Sequence, residues 1–188
     1  FLNIGLLAYF KYHPFITENI NLIFSTAGID LVLEKPNLIV SIGLSFYVFQ
    51  AISYLADIYF RMTKPDPHFG YFALYLAFFP KLLQGPIERA AALIPQLKEK
   101  YTFNYDNMRF GMLLFTIGVF KKVVIADRLG VAVDVVYNNL YAYTGLPLIL
   151  ATYAYAFQIF MDFSAYTDMA LGSALLFNIN LTQNFNQP

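Results

Sequence analysis

An all-α, polytopic membrane fold is what this sequence predicts, and three observations predict it. Charged residues make up 13% of the 188, about half the share in an average soluble domain, so there is too little polar sequence to build a solvated shell. Apolar runs recur at the length a bilayer demands. Lipid-exposed backbone must also satisfy its own hydrogen bonds, which leaves helices as the default spanning element.

The rest of the composition narrows the function classes. Twelve basic and twelve acidic residues cancel, so nothing electrostatic argues for a nucleic-acid partner. The absence of cysteine excludes disulfides, thiolate metal ligands and a thiol nucleophile. With no tryptophan, the 15 tyrosines have to supply most of an interfacial aromatic belt. The chain opens on Phe1 inside an apolar run, without a charged leader region, and closes on "NFNQP", ending at Pro188. The expectation is an internal piece of a longer protein.

The elements follow in order. The first ten residues read as the tail of a span, and 17–33 mix polar and apolar positions as an interfacial stretch does. Residues 37–60, "NLIVSIGLSFYVFQAISYLADIYF", hold a single charge, Asp57. At 1.5 Å per residue they reach roughly 36 Å, enough to cross a ~30 Å hydrocarbon core. A proline-rich loop at 62–68 precedes the apolar but short run 69–80. Pro80 and "KLLQGP" break any helix there, so a re-entrant segment is expected near 69–87, with the dip itself over 69–84. After a loop at 88–106, a span near 107–127 carries Lys121 and Lys122, which must snorkel or face a wet cavity. A loop at 138–144 leads to a span near 145–166. The whole of 1–188 reads as one membrane-embedded domain. If the dip is re-entrant, Arg61, Lys64, Arg89, Lys98, Lys100 and Arg109 share a side, cytoplasmic by the positive-inside rule; if it crosses, the rule is silent.

The apolar helices carry polar seams. Tyr155, Gln158, Asp162 and Tyr166 step by three, four and four, one continuous stripe. Ser164 and Asp168 pair on another side, and Tyr47, Gln50, Tyr54 and Asp57 repeat the pattern on the first span. No basic residue is near Asp162 or Asp168 in the sequence. Each polar group taken singly is as well explained by bonding between helices, worth about 0.6 kcal/mol on average. Taken together, the seams point to a polar cavity, because an acid at a helix centre costs about 2.5–3.5 kcal/mol on insertion scales. Asp162 and Asp168 lie about 120° apart on an ideal helix, so they suit support or orientation rather than a shared reacting atom.

Other features carry less. His13 and His68 sit in separate loops and give no metal spacing. Gly5 has no small-residue partner four positions away, and no phosphate loop or nucleophile elbow is present. "FFPKLLQGPIER", with Gln84 inside it, reads equally as an interfacial turn or as an entrance loop to a buried site.

Five strings in order, "LSFYVFQAISYLADIY", "FFPKLLQGPIER", "GVFKKVVIADRL", "YAFQIFMDFSAYTDMALG" and "LTQNFNQP", resemble the membrane-bound O-acyltransferase family. The nearest branch is the alginate O-acetylation protein, with the D-alanyl-transfer protein of teichoic acid modification as a cousin. The resemblance implies a multi-pass enzyme of the bacterial cytoplasmic membrane that passes an acyl group, acetyl in this branch, to hydroxyls of a cell-surface polysaccharide such as alginate. It implies an acyl thioester donor, such as acetyl-CoA or an acyl carrier, and no bound cofactor or metal. It also implies periplasmic or carrier partner proteins, lipid contact and a funnel through a ring of helices. Gln50, Asp57, Gln84, Gln158, Asp162, Tyr166 and Asp168 are the funnel or supporting candidates. The resemblance places the family's catalytic histidine beyond Pro188, downstream of the last string, in a segment containing tryptophan. Neither His13 nor His68 inherits that role, so no catalytic residue is assigned within 1–188 and these residues alone are expected to be inactive. D-alanyl transfer, a transporter and a non-catalytic scaffold are the competing readings. The only self-similarity, "FYVFQ" against "AYAFQ", is too short for a transporter repeat.

Overall fold

A computed structural model describes residues 2–34, 43–82 and 85–185. Gln84, the first part of the expected span at 37–60, and Pro188, beyond which the catalytic histidine is expected, lie outside the described residues. The described residues form helices joined by turns and loops, without strands, and group into two compact units, 1–65 and 66–188.

The first unit holds α1 (Leu2–Thr26) and α2 (Leu44–Tyr59). The Asn21 amide clasps the chain beyond α1, donating to the Leu33 carbonyl at 3.0 Å and accepting the Leu33 N–H at 2.8 Å. Lys11 Nζ donates to Ser45 Oγ at 3.1 Å, tying α1 to the start of α2. Gly43 precedes α2 with φ 77°, a left-handed turn that glycine adopts without penalty. The buried face of α2 carries Gln50, Tyr54 and Asp57, while Phe49, Leu55 and Tyr59 are exposed.

The second unit begins with α3 (Phe69–Ala77). His68 caps it, Nδ1 accepting the Gly70 N–H at 3.1 Å. The histidine is therefore structural. Extended backbone at Phe78 ends α3, and a short 3₁₀ turn (Phe79–Lys81) follows, with Pro80 inside it. At Gly85 a side chain would meet the Lys81 Cα at 2.4 Å, so the chain folds back on itself here only because that residue has no Cβ.

The expected loop at 88–106 contains a helix, α4 (Ala90–Lys98). Pro95 suggests a break, yet three alanines favour the helix and Leu93 and Ile94 anchor it by burial.

Asn104 then caps α5 (Tyr105–Phe120), its side chain accepting from the N–H groups of Asp106 and Asn107 at 3.0 and 3.2 Å. The helix continues through a π-helical stretch (Lys121–Ala126) into α6 (Asp127–Tyr137). In that stretch the Asp127 N–H reaches the Lys122 carbonyl, five residues back. The result is a single rod over 105–137.

After Gly145, α7 (Leu146–Leu176) runs for 31 residues, roughly 46 Å at the standard rise. Among the described residues it is the helix long and apolar enough to cross a membrane.

The α5 rod and α7 pack antiparallel through small residues. A Cβ on Gly111 would lie 2.7 Å from the Gly172 carbonyl, and one on Gly118 would lie 2.7 Å from that of Ala165. Backbones this close leave no room for larger side chains. Beyond the π-helical stretch a further glycine, Gly130, lies against the Gln158 side chain.

Candidate functional site

The predicted stripe on α7 faces the rod along its length. The Tyr155 ring meets Tyr137 edge-on at 5.8 Å, and Gln158 lies against Gly130. Asp162 Oδ1 accepts from Lys122 Nζ at 2.6 Å, and the Tyr166 ring lies 5.6 Å from the same ammonium. One turn on, Lys121 Nζ donates to Asp168 Oδ2 at 2.6 Å and to Ser164 Oγ at 3.0 Å. Asp127 Oδ1, from the rod itself, is a second carboxylate on Lys122, at 2.8 Å.

The acids that look unaccompanied in the sequence therefore neutralise two lysines of the neighbouring helix. The angular match explains the spacing. Neighbouring positions point about 100° apart on an α-helix and somewhat less in the wider turn that holds the lysines, and Asp162 and Asp168 diverge by about 120°. Two adjacent lysines consequently meet two acids six positions apart, in antiparallel order. Removing four charges from water costs far less when they are paired than when they are alone.

Two hollows adjoin these groups. Asp168 lines a cavity of about 330 Å³ between α5, α7 and the returning tail, with Asn107, Asn180 and Gln183 as its amide wall and Phe110 and Leu171 among its apolar members. Only Oδ2 of Asp168 is taken by Lys121. Tyr166 lines a second, largely apolar cavity of about 220 Å³, beside Pro80, Gly85, Phe115 and Ser173. A larger open groove of about 640 Å³ lies along one face of α5, next to Asp106 and Arg109, and its lining among the described residues comes from α5.

The remaining candidates divide by unit. In the first unit, Gln50 and Asp57 are both buried, and Gln50 Oε1 has no hydrogen-bond donor among the described residues. In the second, Gln158 Oε1 is likewise buried and unsatisfied among them. Such orphaned acceptors carry a desolvation cost of about 1–3 kcal/mol and need an explanation. Gln84 and Pro188 lie outside the described residues.

Sequence reasoning saw Lys81 and Glu88 only as polar residues of the broken segment, and it missed their burial and the part played by Tyr75 of α3. Lys81 is fully buried, its Nζ hydrogen-bonds to nothing described, and it lies 3.8 Å from the centre of the Tyr75 ring, a cation–π contact of about 0.5–2 kcal/mol. The Tyr75 hydroxyl donates to the Glu88 carbonyl at 2.8 Å. Glu88 is buried as well, and both of its side-chain oxygens accept from Thr182. The only signal was the density of polar residues between Pro80 and Arg89. In the loop ahead of α3, the Asp66 carboxyl is held below its ordinary value, first by donation from Lys98 and then by the His68 N–H.

Comparison with known proteins completes the picture. No family model matches the chain. It is 35% identical to the peptidoglycan O-acetyltransferase of Helicobacter pylori over 99% of its length and 39% of the relative's. It is 35% identical to a protein of Pseudomonas putida named "Probable alginate O-acetylase", over 100% of the chain and 38% of the relative. The teichoic acid D-alanyltransferase of Bacillus subtilis matches at 28% over 81% of the chain and 39% of the relative. The chain spans about two fifths of the length of these relatives. Over essentially all of its residues, the chain is a homologue of proteins of the membrane-bound O-acyltransferase type.

Proposed function

We propose that the full-length protein is a multi-pass O-acyltransferase of the bacterial cytoplasmic membrane, transferring an acetyl group to hydroxyls of a cell-surface polysaccharide. The observation that carries this reading is the similarity, over the whole chain, to proteins named for O-acetylation of peptidoglycan and alginate. The donor belongs to the acyl thioesters, and partner proteins outside the membrane present or receive the acyl group. D-alanyl transfer is the weaker reading, since that relative is less similar and matches less of the chain.

The distribution of side chains supports a membrane setting. On α7, Leu146, Ile149, Leu150, Tyr153, Phe157 and Ile159 are exposed, while Ser164, Thr167 and Gly172 are buried. Soluble monomers rarely expose apolar surface on this scale. The chain is read as one domain with spans near 37–60, 107–127 and 145–166 and a dip at 69–84; the same polarity on α2 supports the first of these.

Within this reading, Asp168 and Tyr166 stand at the wall of the funnel. Asp162 and Gln158 support it from the packed seam of α7, while Gln50 and Asp57 are the polar candidates of the first unit and Gln84 that of the entrance loop. Acyl transfer to a hydroxyl needs a base within hydrogen-bond reach of the departing proton. Lys121 and Lys122 are engaged by carboxylates and do not supply it. The base is the family histidine, contributed by a segment beyond Pro188. The free oxygen of Asp168 is suited to accept a hydrogen bond from a ligand in the cavity, holding it while the base works elsewhere.

Complementation tests this. A deletion strain carrying the full-length gene regains ester-linked acetate on its surface polysaccharide, measured by NMR of the purified polymer. The D168A variant, expressed to the same level, restores much less. Wild-type acetylation by D168A would remove Asp168 from the site, and no acetate with the wild-type gene would overturn the activity.

A further inference from the structure

The tail after α7 is held by side chains rather than by a backbone ladder. Phe185 packs against Phe160 and Phe163, at 5.7 and 5.5 Å between ring centres, so the tail runs back along the helix it has just left. Gln96 reads the backbone of Asn180 in both directions, accepting its N–H at 2.8 Å and donating to its carbonyl at 3.0 Å. Asn107 donates to the Asn178 side chain at 2.6 Å.

Glu88 makes the one charged contact among these. It is 2% exposed, and among the described residues no cation bridges it. One oxygen accepts the Thr182 N–H and the other the Thr182 hydroxyl, the latter at 2.9 Å. A carboxylate removed from water without a bridging countercharge is stable only when donors occupy it, and here one residue of the tail supplies both. Residues 94 positions apart in the chain are thereby held at one register.

The segment so fixed is also a wall. Asn180, Leu181 and Gln183 close the Asp168 cavity opposite α5 and α7. Gln96 grips the first of these and Glu88 grips the residue between the other two. We propose that Glu88 and Gln96 are positioning residues that set this third wall, and through it the fit of the ligand beside Asp168. The proposal rests on reading that cavity as part of the acyl-transfer funnel. Neither residue touches the ligand; both act through the tail.

The test uses the full-length protein in lipid nanodiscs, as wild type and as E88A, E88Q, Q96A and T182V. Two readouts are taken: amide hydrogen exchange of the tail, and the kinetics of acetyl transfer. Losing charge-assisted bonds to Glu88 should speed exchange at residues 180–183 by roughly tenfold or more in E88A, while residues 164–172 of α7 keep wild-type protection. T182V, a substitution at an exposed position, loses only the hydroxyl contact and should show a smaller rise. In the kinetics, KM rises and kcat stays within about twofold, as expected when an interaction that shapes ligand binding is lost. E88Q, which retains one acceptor, falls between wild type and E88A. Unchanged tail exchange in E88A, Q96A and T182V would overturn the clamp. A fall in kcat at constant KM would overturn the positioning role. If E88A does not fold, T182V and Q96A decide the question. Should the wild type transfer no acetyl group, the activity reading fails alone, and the exchange rates still decide the clamp.

Discussion

Lys121 and Asp168 face each other across two antiparallel helices, Nζ to Oδ2 at 2.6 Å, with Ser164 as a second acceptor for the same ammonium. Their side chains are 28% and 16% exposed, so neither is fully solvated and neither is sealed. Removing one partner leaves the other as an uncompensated charge beside an apolar wall. K121M or D168L alone should therefore lower stability by about 1–3 kcal/mol. The double variant K121M/D168L should recover most of that loss. A double variant no more stable than the singles would show that the pair is not coupled; thermal unfolding in detergent, followed by circular dichroism, measures it.

Lys122 is shared between Asp162 and Asp127, so its two carboxylates should compensate for each other. D127N and D162N are each expected to cost less than about 1 kcal/mol, and the pair together more than the sum. Strict additivity in a double-mutant cycle would contradict this.

Close backbone packing makes a sharper demand. A Cβ on Gly172 would lie 2.6 Å from both the Gly111 carbonyl and the Phe115 nitrogen. G172A should destabilise by about 1–3 kcal/mol or more through forced backbone movement. G5A, where nothing lies within 4 Å of the added methyl, should be neutral or stabilising by up to about 1 kcal/mol. Equal effects of the two substitutions would overturn the packing account.

The Asn104 cap predicts a local cost. N104A removes an acceptor from two helix N–H groups and should cost about 1 kcal/mol. N104D should retain most of the stability, since an aspartate caps as well and favours a helix N-terminus. Exchange of the Asp106 and Asn107 amides reports it directly.

Acid should expose the Asp66–Lys98 contact. A carboxyl whose folded pKa is depressed contributes stability that is present above its unfolded value and lost as pH falls through the folded one. The loss therefore falls below about 3.8, the ordinary value for this group. D66N should flatten the acid limb of a stability–pH curve as pH falls through and below about 3.8. An acid limb identical to that of the wild type would show that Lys98 and the His68 N–H do not hold the carboxyl down.

Much of this fold was legible before any coordinates. Length and the uncharged run at 145–161 mark α7, a three-and-four spacing marks its polar stripe, and Pro80 marks the break after α3. The lysines at 121 and 122 were visible as an oddity, and so were the acids at 162 and 168. Their pairing was not, because it depends on which helix packs against which and at what register, and no local pattern encodes that. The helix at 90–98 was hidden because Pro95 counts against it locally, while the burial of Leu93 and Ile94 that stabilises it is tertiary. Glu88 was hidden for the same reason: its partner, Thr182, stands at the far end of the chain.

The wide turn at 121–126 also bears on how the rod tolerates insertion and deletion. Losing one residue within that turn would tighten it toward an ordinary α-helix and leave the backbone bonds on either side intact. Losing one between Gly111 and Gly118 would swing one glycine about 100° away from the carbonyl it must pass, and the two helices could no longer touch. Length changes in this part of the chain should therefore be absorbed at the lysines and rejected at the glycines.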